Sequence, residues 1–110
     1  MTKITFYQNH AGQYTGFEVR NHSGFGEEGS DIVCAAISAL TINTVNSLER
    51  LTDDNFSVES DEEAALIRLT IPGEHSPEAD LLIRSLALGL SDMEADEANQ
   101  DYMDLIFEEV

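Results

Sequence analysis

The apolar residues change period along the chain in an order that limits the architecture more than any other feature. Residues 3–8 alternate, with Ile4 and Phe6 on one side, and residues 15–20 alternate again through Phe17 and Val19. Residues 9–13, Asn-His-Ala-Gly-Gln, read as the turn of a hairpin between them, with His10 as a solvated polar residue. From about residue 31 to 51 the spacing becomes helical: Val33, Ala36, Ile37, Leu40, Val45 and Leu48 form one stripe. Ala35, Ala36 and Ala39 leave room for close packing against a sheet. Residues 53–55 are a turn, and residues 56–60 and 64–71 make a second hairpin joined by Asp61-Glu62-Glu63 and ended by Pro72-Gly73. Ser76 as N-cap with Pro77 at the first helical position opens a second helix. Its stripe is Ala79, Leu82, Ile83, Leu86, Leu90 and Met93. Residues 91–101 read as an acidic linker or frayed helix, and residues 102–108 as a closing strand.

The resulting order, ββαββαβ, predicts an α+β two-layer sandwich with two helices on one face of a mostly antiparallel sheet. A length of 110 residues and 42% apolar residues suit one domain over 1–110. There is no uninterrupted apolar run of about 18 residues to span a membrane, and the start lacks the layout of a signal peptide. With one cysteine no internal disulfide is expected, and a thiol enzyme needs a reducing compartment, so the cytoplasm is the predicted location. Acidic residues number 22 against 5 basic ones, for a formal net charge of −17. Such a surface repels nucleic-acid phosphates and anionic lipid, and draws in basic polypeptides at a rate that salt weakens.

The chemistry-bearing stretch is residues 21–34. Ser30 or Asp31 serves there as the predicted N-cap of the first helix, placing Cys34 in or just beyond its first turn. The helix dipole and a neighbouring imidazolium both favour thiolate, and such surroundings bring a cysteine pKa of about 8.5 down to roughly 3.5–7.5. Backbone N–H groups near the helix start, that of Cys34 included, are candidate oxyanion donors. His22 stands twelve residues upstream, and Gly24, Gly26 and Gly29 let the intervening loop fold back, approach a peptide closely and act as a flap. Taken alone, a single cysteine among Ile32, Val33, Ala35 and Ala36 is more often a small buried hydrophobe than a nucleophile.

The run H-S-G-F-G-E-E-G-S-D-I-V-C-A-A-I-S, from His22 to Ser38, resembles the signature of the ribosomal-processing cysteine proteases, the Prp family. The resemblance covers this motif and, in element order and length, nearly the whole chain. It implies that His22 and Cys34 form a catalytic dyad and that the protein is a homodimer. It also implies a substrate, the N-terminal extension of a bacterial large-subunit ribosomal protein, removed before ribosome assembly. In the family the cleaved bond follows aromatic residues, which implies an apolar pocket near Phe25. One departure is Asn21, where the family usually has glycine; asparagine tolerates left-handed backbone better than most residues. Asp31, a cap first, could also orient His22. Ser38, four residues after Cys34 on the same face, reads first as a hydroxyl bonded one turn back and second as site support.

No cofactor and no metal are expected. Cys34, His10, His22 and His75 lack paired ligand spacing for zinc, and Asp92, Glu94 and Asp96 lack the glycine and distal glutamate of a calcium loop. The glycine loop has no phosphate-binding lysine. The partners expected are therefore an N-terminally extended ribosomal protein and a second copy of the chain, with no direct nucleic-acid or membrane contact. The alternative is a non-catalytic acidic module that binds a basic ribosomal or assembly partner and keeps Cys34 as core.

Overall fold

The computed structural model describes residues 1–21 and 28–110, the side chains of 28–31 excepted. The element order is β1 (Thr2–Gln8), β2 (Tyr14–Arg20), α1 (Glu28–Leu51), β3 (Ser57–Asp61), β4 (Leu66–Thr70), α2 (Pro77–Ala95) and β5 (Met103–Glu109). This is the ββαββαβ α+β fold read from the alternating and helical periods. The five strands form one sheet in the order β3-β4-β2-β1-β5. Every neighbouring pair is antiparallel except β1 with β5, which run parallel.

Register places the two faces unambiguously, because side chains alternate along each strand. Ile4 pairs with Val19 and Phe6 with Phe17, while Phe17 also pairs with Leu69 on the far side. These five buried residues form the inner face and share one core with Val33, Ile37 and Leu48 of α1 and Ala79, Ile83, Leu86 and Leu90 of α2. Both helices therefore cover the same face. At the centre, the fully buried Phe6 ring stacks on Phe107 with centroids 5.5 Å apart and meets Tyr14 edge-on at 5.7 Å. At Gly16 a Cβ would fall 2.4 Å from the Leu69 carbonyl oxygen, so only glycine lets β2 and β4 approach there.

The outer face is polar. Glu18, 8% exposed, pairs across strands with Arg68, whose Nε donates to its carboxylate at 2.8 Å and whose Nη2 also donates to it. Arg20 reaches the same oxygen at 3.2 Å, and Arg68 extends to Glu59 on the edge strand at 3.3 Å. Cross-strand charge pairing thus manages the uncovered side. The edge strand β3 is exposed along its length and carries Glu59 and Asp61, which disfavour pairing with a further strand.

The helices differ from expectation in three ways. Helix α1 begins at Glu28, so Ser30 and Asp31 lie inside its first turn and neither is the N-cap. Ala35 and Ala39 face outward and are exposed, whereas the sheet-facing stripe includes two polar residues, Thr41 and Thr44, both buried. Helix α2 continues to Ala95, beyond the point where the acidic residues suggested fraying. Residues Ile32–Leu51 have the length and mean hydropathy, 1.3, of a candidate membrane span, but here they belong to the core helix of the sandwich.

Candidate active site

Three segments converge at one end of the sheet. The first is the end of β2, where Asn21 adopts φ 68, the left-handed conformation anticipated at the position where the family usually has glycine. Its N–H donates to the Ala64 carbonyl at 3.1 Å, and its carbonyl accepts from Thr2 Oγ1 at 3.2 Å. The residue immediately before His22 is therefore pinned to β1 on one side and to the β3–β4 turn on the other.

The second segment is α1. Cys34 is its seventh residue, in the second turn rather than at the mouth, because the helix starts earlier than its apolar run. Two consequences correct the sequence reading. The Cys34 N–H falls inside the helical ladder and is no oxyanion donor; the N–H groups without helical partners belong to the first turn. The macrodipole, which acts within about the first turn, reaches the thiol only weakly.

The third segment is the β3–β4 turn. Asp61 accepts the N–H of Glu63 at 3.0 Å and that of Ala64 at 3.4 Å, and Ala65 takes φ 48. That turn stands at the same end of the sheet as Asn21.

Together the segments enclose a cavity of about 310 Å³. Cys34, Ser38 and Thr41 contribute one helical stripe to its wall, Thr2 and Asn21 come from the sheet end, and Asp61 and Glu62 stand on the turn side. Val19, Ile37, Ala65, Leu66 and Ile67 supply apolar wall, and Ser60 of β3 completes it. Cys34 is half-buried and faces this space, so it is not a sealed core residue. Ser38 is exposed at the same wall.

Of the predicted site residues, the structure thus brings Cys34 and Ser38 to one cavity. His22, Gly24, Phe25 and Gly26 lie outside the described residues; Gly29 and Asp31 are placed by backbone alone, in the first turn of α1. Thr41 and the residues of the β3–β4 turn were missed. Thr41 was open to sequence reasoning, since 34, 38 and 41 share a helix face, but its polarity removed it from an apolar stripe. The turn was not, because only the sheet order brings it to α1. Among the described residues no group of three or more His, Cys, Asp or Glu side chains is arranged to hold a metal ion.

Known proteins with the same architecture add to this geometry. The family model for the cysteine protease Prp matches residues 1–103. A Bacillus subtilis ribosomal processing cysteine protease Prp is 28% identical over 100 residues, covering 87% of this chain and 89% of the relative. The Staphylococcus aureus counterpart is 27% identical over 94 residues, covering 86% and 89%. Among solved structures, the S. aureus ribosomal processing protease Prp with a covalently linked product peptide superimposes with a TM-score of 0.87 at 25% identity, over 98% of this chain and 100% of that one. A Streptococcus mutans protein superimposes with a TM-score of 0.86 at 28% identity, over 100% and 99%. With a family-model match along almost its whole length and a fold in common with a member of known structure, the chain belongs to the cysteine protease Prp family.

Proposed function

We propose that the protein is an endopeptidase in which Cys34 and His22 form the dyad and the substrate is the N-terminal extension of a bacterial large-subunit ribosomal protein. The observation that carries this reading is the shared cavity: Asn21, the direct neighbour of His22, lines the same 310 Å³ space as Cys34. His22 follows that pinned residue directly in the chain, which supports its pairing with Cys34 across the cavity.

In the proposed cycle the Cys34 thiolate attacks the scissile carbonyl while His22 holds the thiol proton. The proton passes to the leaving amine as the C–N bond breaks, leaving a thioester on Cys34. Water, deprotonated by His22, then attacks the thioester carbonyl and releases the new carboxylate and the thiol. Free N–H groups in the first turn of α1 and in the glycine-bearing segment with Gly24, Gly26 and Gly29 receive the oxyanion. Phe25 lies beside the substrate, and Asp31 and Ser38 support the dyad. With the thiol weakly served by the dipole, the imidazole carries most of its activation.

The relatives' role in ribosomal processing supports the substrate class. So does the net charge of −17, which attracts a basic ribosomal protein and repels nucleic acid. The same reading has the protein act as a homodimer in a reducing cytoplasm.

The test uses a ribosomal protein carrying its extension. Cys34→Ala and His22→Ala should each lower its cleavage by about 10³-fold or more while leaving binding measurable. Normal cleavage by either variant sinks the dyad; binding without cleavage by the parent protein favours an acidic docking module instead. Iodoacetamide should label Cys34 in the folded protein at neutral pH, whereas labelling only after unfolding is the result for a core cysteine.

A further inference from the structure

We propose that Asp61 and Glu62 eject the acyl-side product: the carboxylate formed when the thioester on Cys34 is hydrolysed meets two like charges that the uncharged peptide bond of the substrate does not feel. This role for the β3–β4 turn rests on the reading of Cys34 as nucleophile at this cavity.

Before and after the cut the acyl-side peptide offers the same side chains to Val19, Ile37, Leu66 and Ile67, so the apolar wall holds product as firmly as substrate. Only charge separates the two. Hydrolysis consumes one water: the C–S bond breaks, a C–O bond forms, sulfur recovers its proton, and the other proton leaves to solvent as the new acid ionises. The ligand thereby gains one negative charge. While bonds are breaking, the oxyanion is accompanied by the His22 imidazolium, and the turn carboxylates act on a pair of nearly zero net charge; the finished product has no such companion. All five Lys and Arg residues of the chain lie outside the cavity wall, and Arg20, next in sequence to Asn21 of that wall, is engaged by Glu18 on the outer face at 3.2 Å. Neither Asp61 nor Glu62 forms a salt bridge among the described residues. Asp61 is fixed in place, since its Oδ1 accepts the N–H groups of Glu63 and Ala64. Both residues are exposed, so the repulsion is partly screened and falls as salt rises.

Two peptides that copy the ribosomal extension up to its cut, one ending in a free carboxylate and the other in a carboxamide, provide the test when bound to Cys34→Ala. At about 0.01 M salt the amide should bind about fivefold more tightly, and the gap should narrow as salt is added. Asp61→Asn with Glu62→Gln, which keeps an acceptor oxygen for the turn, should bring the ratio close to one. Glu74→Gln with Glu108→Gln, the same change of net charge outside the cavity, should leave the gap unchanged. With Cys34 restored, the turn pair should make accumulated product a stronger inhibitor of cleavage than it is of the parent. A carboxylate that binds as tightly as the amide, or a gap that the turn pair does not close, overturns ejection and leaves the dyad untouched; so does a gap that the outer pair closes equally. Failure of both peptides to bind overturns it as well. A gap that the turn pair closes in a protein whose parent cleaves nothing sinks proteolysis, and ejection with it, while the charge selectivity of the cavity stands.

Discussion

The two ends of the sheet are built by opposite rules. At the end away from Cys34, short polar bonds knit three segments together. Asp54, in the α1–β3 connection, accepts the Ser76 N–H at 2.7 Å and the Ser76 hydroxyl at 2.6 Å, while Ser76 Oγ accepts the Ala79 N–H and caps α2. Asp80 in the first turn of α2 accepts the Tyr14 N–H at 2.8 Å and ties the helix to β2. At the Cys34 end, by contrast, stand Asn21 and Ala65, the two non-glycine residues with positive φ among the described residues, together with a cavity and an unpartnered hydroxyl. Left-handed backbone strain gathers at the Cys34 end, and the far end, His75 apart, is well bonded and holds the layers in place.

The largest effect on stability should come from loosening the far end. Ser76→Ala removes a helix cap and one bond to Asp54 and should cost about 1–2 kcal/mol in chemical denaturation. Cleavage per folded molecule should stay at the parent level; a loss of activity beyond the unfolded fraction would couple the two ends and break the contrast. At the Cys34 end, Asn21→Ala should cost about 1 kcal/mol through left-handed strain yet depress cleavage severalfold by moving the anchor of His22. Asn21→Gly, free of that strain, should preserve both, and equal behaviour of the two variants would remove the anchor role.

A pH comparison sharpens the same point. Hydrogen bonds from the Ser76 hydroxyl and N–H, with a smaller contribution from nearby His75, hold the Asp54 carboxyl below its usual range against the opposing effect of burial. Its folded value lies below the unfolded one, so this stabilisation is complete above the unfolded value of about 3.9 and disappears as pH falls through the folded value. Denaturation of Asp54→Asn and the parent should therefore differ near neutrality and converge in acid. A gap that persists at pH 2 contradicts the assignment. The smallest effect concerns the one polar misfit at the far end. The His75 imidazole is 2% exposed, and neither nitrogen has a hydrogen-bond partner among the described residues. His75→Phe should raise stability by about 1 kcal/mol or less, and a clear loss would mean that the ring's polar approach to Asp80 at 4.0 Å matters more than its burial.

Where local chemistry decides, the sequence was readable. Ser76-Pro77 opens α2 as its capping pattern predicted, and Asn9 closes the first hairpin by accepting the N–H groups of Ala11 and Gln13. The parallel β1–β5 pairing needed the whole chain to be assembled, although a mostly antiparallel sheet was expected. The start of α1 was misjudged because Ser30-Asp31 is a good cap pattern, and backbone pairing upstream carried the helix past it. Thr41 and Thr44 were lost because polarity along a stripe reads as solvent. The cavity itself depends on a turn and a helix that meet only through sheet order, so no spacing along the chain encodes it.

The hydrogen bond from the Thr2 N–H to the Tyr102 carbonyl, and the ladder that continues from it along β5, have a consequence for synthesis. Thr2 holds Asn21, yet Thr2 itself is held by residues that emerge from the ribosome nearly a full chain length later. Contacts between such distant partners form late, since the entropy of closing the loop precedes any reward. A nascent copy therefore lacks the wall that fixes Asn21 until β5 has emerged and docked, so its cutting edge is set only once the ends of the sheet have met.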